Sequence, residues 1–156
     1  MMEVKGNYSG KNKKIGIVIS QFNEFITRQL LEGCVDELKK HGVEEKDIVV
    51  YWVPGSFEIP TTLAKVCEHK KFDVLVALGV IIRGDTPHFD LVSSQVTKGI
   101  ANLSSAKKVP IIWGVVVADT IEQAIERAGT KRGNRGRDSA LSAIEMANLF
   151  AQIEAG

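Results

Sequence analysis

Two hydrophobic rhythms alternate along the chain. Unbroken apolar runs occupy residues 15–19, 48–53, 74–82 and 111–117. Between them, apolar residues recur three and four apart, as in Ile26, Leu30, Leu31, Cys34, Val35 and Leu38. That second spacing is the stripe of an amphipathic helix. The runs predict four strands, and the stripes predict helices over residues 24–41, 60–70, 89–106, 121–128 and 138–152. Local punctuation agrees: Gly42 stands where a helix C-terminal glycine belongs, and Pro60 suits a first helical turn. Thr120 and Gln123 have capping-box spacing.

The third and fourth runs are almost continuously apolar, which suits parallel strands covered by helices on both faces. Strands alternating with helices imply right-handed crossovers and a doubly wound α/β fold. The expected architecture is a three-layer αβα sandwich, flavodoxin-like, around a central four-stranded parallel sheet. Residues 4–9 are read as an additional N-terminal edge strand shared with a neighbouring subunit.

With 156 residues, the chain is expected to form one domain, residues 1–156, with residues 1–13 as an extended arm. A domain of this size buries roughly 70% of its unfolded surface. A net charge of +1 gives no basic footprint for nucleic acid. Cys34 and Cys67 fall in helical patterns and read as small apolar residues, not as a disulfide framework, which fits a reducing cytoplasm. The polar start has no apolar core of signal-peptide length, and no run approaches the ~18 apolar residues of a membrane span.

Chemistry concentrates where the runs end. Residues 83–88, Arg-Gly-Asp-Thr-Pro-His, place a cation, an anion, a hydroxyl and an imidazole after the third strand. Open α/β sheets bind ligands at that carboxyl edge. His88 has the right chemistry for proton transfer near neutrality; alternatively it caps the helix that follows. Phe22 and Phe57, after the first and second strands, are able to clamp a flat heterocycle, with Asn23 and Glu58 reading its polar edge. Either ring reads equally as a core plug. Asp85 and Thr86 suit an anion before a helix N-terminus or serve as plain caps. The common nucleotide fingerprints are missing, and no cluster has metal-ligand spacing. The basic, glycine-rich bend at 129–137 reads as a solvated loop or as a phosphate cradle. Arg127 falls about 10 Å from the start of its helix at ~1.5 Å per residue, pointing toward the edge opposite His88, and Trp113 lies inside a strand. Either both are structural or a second subunit brings them to these loops.

Together these segments resemble the 6,7-dimethyl-8-ribityllumazine synthase family. The resemblance runs through Phe22-Asn23, the stretch Val53-Pro54-Gly55-Ser56-Phe57-Glu58-Ile59-Pro60, residues 79–90, Asp119-Thr120-Ile121-Glu122-Gln123-Ala124, and residues 127–136. Its most specific phrase is Arg83-Gly84-Asp85-Thr86-Pro87-His88-Phe89-Asp90. It implies condensation of 5-amino-6-(D-ribitylamino)uracil with 3,4-dihydroxy-2-butanone 4-phosphate, the penultimate step of riboflavin biosynthesis, with neither a cofactor nor a metal. By position it implies Phe22, Asn23, Ser56, Phe57, Glu58, Val80, Ile81, Ile82 and Trp113 for the uracil substrate. Asp85, Thr86, Arg127 and Arg135 are implied for the phosphate substrate, with His88 moving protons. Trp113 and Arg127 would come from an adjacent subunit. Two positions depart from the family's usual pattern: Trp113 replaces Phe, and Arg135 replaces Lys. The resemblance also implies a homo-oligomer, a pentamer that some members assemble into an icosahedral shell of twelve pentamers, with riboflavin synthase as a functional partner. The short bend after Arg127 resembles the shell-forming members. Rival readings are a catalytically silent shell, a flavodoxin-like nucleotide-binding module, and a pentameric riboflavin synthase. The last has no phosphorylated substrate, so phosphate release separates it.

Overall fold

Strand β1 (Ile15–Ser20) is buried at every residue, because it runs through the middle of a sheet with strands on both sides. The computed structural model describes residues 1–84, 87–129 and 133–156. After β1 come α1 (Glu24–Lys40), β2 (Ile48–Val53), α2 (Ile59–His69), β3 (Val74–Ile82), α3 (His88–Ala106), β4 (Ile111–Ala118), α4 (Ile121–Arg127) and α5 (Arg135–Ala155). The four strands are all parallel, in the order β2-β1-β3-β4.

Side chains alternate across this sheet, as the pleat requires. Ile15, Ile17 and Ile19 of β1, with Val74, Val76 and Leu78 of β3, pack under α1 and α5. Val18, Leu75, Ala77 and Val115 face the other way, against Leu63 of α2 and Val96 and Ile100 of α3. Both faces are therefore covered, which explains why β3 reads as a continuous apolar run. The expected α/β sandwich is the observed one.

Several local signals act as read from the sequence. Gly42 takes φ +98°, and the N–H groups of Gly42 and Val43 return to the Lys39 and Leu38 carbonyls at 3.1 Å each. This is a Schellman stop for α1. Thr120 accepts from the Gln123 N–H at 3.1 Å. The Gln123 side chain reaches one residue further back than a standard capping box, to the Asp119 N–H.

One expectation is corrected. The glycine-rich bend ends sooner than read, since α5 starts at Arg135 instead of residue 138. Asn134 caps it, accepting from the Arg137 N–H at 3.1 Å while its amide donates to the Gln29 and Ala128 carbonyls. Gly136, read as part of the bend, is buried inside this helix against the backbone of α1 at Leu30. Within a single chain residues 4–9 form no strand; the expected strand is one shared with a neighbouring subunit. Asn148 donates to the Asn7 and Ser9 carbonyls and Gln152 to that of Lys5, so the arm lies along α5.

Candidate active site

Order reverses between β1 and β3: the chain steps from β1 to β2 on one side and crosses to β3 on the other. Such a reversal opens a crevice outside the carboxyl ends of the two strands. A cavity of about 460 Å³ lies there, on the face covered by α2 and α3. Phe22 enters it from the end of β1, and Phe57 and Glu58 from the turn after β2. Val80, Ile81 and Ile82 enter from the end of β3, and His88 from the start of α3.

Phe22 and Phe57 are 61% and 62% exposed, so neither is a core plug. Both line the cavity, and a planar ring is able to stack on such side chains. The 3₁₀ turn Ser56–Glu58 that carries Phe57 sits close against β3. Buried Ser56 donates its hydroxyl to the Val80 carbonyl at 3.3 Å. Gly79 permits that approach: a Cβ there would meet Ser56 Oγ at 2.9 Å and Ser20 Oγ at 3.1 Å. Larger residues at position 79 would push the aromatic turn outward.

His88 is exposed and is the first helical residue of α3. Pro87 holds the cap position, so the histidine is not a helix cap. Val92, one turn on, and Phe89 line the same cavity. The sequence reading did not select either, although Val92 is visible as the i+4 neighbour of His88 on one helix face. Asn23 takes φ 54° as the N-cap of α1, a left-handed conformation that asparagine tolerates. Its carbonyl, not its side chain, serves the helix, accepting from Ile26 and Thr27, and it lies outside the cavity lining. Asp85 and Thr86 lie outside the described residues.

Trp113, Arg127 and Arg135 also lie outside the lining. Trp113 pairs with Ala77 in mid-sheet, four residues and ~13 Å short of Val117 at ~3.3 Å per residue. Arg127 departs from expectation. Its side chain does not point to the far edge but folds back, donating from Nη1 to the Val117 carbonyl at 2.6 Å. That carbonyl is near the carboxyl end of β4, so the guanidinium stays at the right edge of the sheet, beside the outer strand. Arg135 begins α5, exposed, on the opposite face from the cavity. One chain thus brings together the Phe22, Ser56, Phe57, Glu58, Val80–Ile82 and His88 set, and leaves the other three apart.

Among the described residues, no group of three or more His, Cys, Asp or Glu side chains is placed to hold a metal ion. No described helix is long and apolar enough to cross a membrane. The sequence model of 6,7-dimethyl-8-ribityllumazine synthase matches residues 12–151, the whole sheet and all its helices but the end of the last. Members condense ribitylaminouracil with butanone phosphate in riboflavin biosynthesis, and this chain belongs to the 6,7-dimethyl-8-ribityllumazine synthase family.

Proposed function

We propose that the cavity at the β1/β3 reversal binds 5-amino-6-(D-ribitylamino)uracil and that His88 moves protons during its condensation with 3,4-dihydroxy-2-butanone 4-phosphate. The observation that carries this reading is the shared opening of two exposed phenylalanine rings and one imidazole onto a single crevice. Phe22 and Phe57 stack on the pyrimidine, Ser56 and Glu58 with nearby main chain read its polar edge, and Val80, Ile81 and Ile82 form the apolar floor. Asn23 adds a polar group at the rim. Asp85 and Thr86 meet the phosphate substrate.

The amine of the uracil attacks the ketone to form an imine with loss of one water; phosphate is eliminated, the ring closes and a second water leaves. No step changes oxidation state, so the sequence needs neither a redox cofactor nor a metal. Holding both substrates in attack geometry contributes roughly 7–11 kcal/mol. General acid–base assistance contributes about 10²–10⁴-fold, or ~3–5 kcal/mol. Positioning therefore outweighs the imidazole.

The cavity of one chain supplies no cationic side chain from Arg127 or Arg135 and no Trp113 ring. A neighbouring subunit supplies all three, with Arg127 and Arg135 gripping phosphate. The assembly is a homo-oligomer, a pentamer that builds a sixty-subunit shell, working in the cytoplasm beside riboflavin synthase, which consumes the lumazine. Mixing the two substrates with the protein and following lumazine absorbance together with inorganic phosphate tests the activity. Matched release of both above the spontaneous rate is expected; no release above that background would reject it.

A further inference from the structure

Arg83 follows β3 and does not line the cavity, yet it meets the two residues that directly follow His88. Its N–H extends the sheet by one bond, donating to the Ala118 carbonyl at 2.9 Å. From Nε it reaches Asp119 Oδ1 at 3.0 Å, and its Nη2 lies 4.0 Å from Asp90 Oδ1. Its guanidinium carbon sits 4.6 Å from the centre of the Phe89 ring. One planar cation thus joins the end of β3, the loop after β4, and the two residues directly after His88. Among the described residues, the cap of α3, Pro87, makes no side-chain capping bond.

We infer that Arg83 is a positioning residue for the reaction: by tying Phe89 and Asp90 to Asp119 it aims the His88 imidazole into the cavity. The inference rests on the proton-transfer reading of His88. The groups involved are half or more exposed, with Arg83 at 53% and Asp119 at 67%, so the ion pairs add little to stability. Their contribution is geometric. A guanidinium stacks on one ring and spans two carboxylates in a fixed plane, which an ammonium cannot do.

Steady-state kinetics on four assembled proteins test this: wild type, R83A, H88A and the double variant. R83A is expected to lower kcat about tenfold to a hundredfold, the loss that a misplacement near 1 Å causes, with KM for the uracil changed less than about twofold. The melting temperature should move by less than about 4 °C. In the H88A background the same substitution should cost nothing further, since residues acting as one unit are non-additive. An equal loss in both backgrounds, or an unchanged kcat in R83A, would overturn the role of Arg83 while leaving that of His88 intact. An unchanged kcat in H88A would instead reject His88 itself, and this inference with it. Should R83A not fold, D119N cuts the same tether from its other end and carries the same expectations.

Discussion

His88 and the two phenylalanines were legible from sequence because each follows a strand, and the end of a parallel strand has one destination in this fold. Exposure then decided between readings that sequence left even, since rings more than half open to solvent do not plug a core. Arg83 is the converse case. A cation in a loop faces anywhere until its partner is known, and Asp119 stands 36 residues away. The balance of magnitudes gives a prediction for the imidazole itself. His88→Ala should lower kcat by roughly 10²-fold while leaving catalysis measurable above the uncatalysed rate, because the substrates remain juxtaposed. Loss of all activity in a folded, assembled variant would contradict that division of labour.

Elements were read correctly in kind and order, and the largest offsets, three residues each, lie at the two ends of α5. The Gly-rich, basic composition around residues 129–137 hides the start of α5. The helix begins there because Asn134 caps it and because Gly136 lets α5 lie on the backbone of α1. An ideally placed Cβ at position 136 would overlap the Leu30 carbonyl oxygen, a clash that only a shift of one helix relieves. Gly136→Ala should therefore destabilise the fold by about 1–3 kcal/mol, despite the better helix propensity of alanine. Urea denaturation measures this directly; equal or greater stability would show that the two helices separate at little cost. The contrast with Gly42 is instructive. There the glycine's reason is local, a positive φ at a helix stop, and so it was readable in the sequence. At Gly136 the reason is a neighbouring helix more than a hundred residues earlier.

On the proposed reading, a whole subunit carries two half-sites that do not meet within it. The Phe22, Phe57 and His88 half opens at the β1/β3 reversal, while Trp113, Arg127 and Arg135 stay outside that cavity. If the halves join across subunits, two defective chains should repair each other. H88A and R127A proteins, each impaired alone, should regain roughly a quarter of wild-type activity when dissociated, mixed equally and reassembled at random, because that fraction of interfaces carries both intact residues. Mixed oligomers with no more activity than the average of the parents would place His88 and Arg127 in the same subunit's site or in separate roles. The hydrophobic rhythm alone determined the strands, the helices, their parallel arrangement and the loops that bear chemistry, because burial on one or both faces of an element is written in its own periodicity. Tertiary structure decided which loops share a crevice, where Arg127 folds back, and what Arg83 and Gly136 are for. Those outcomes depend on contacts between residues far apart in the chain, and no local pattern records them.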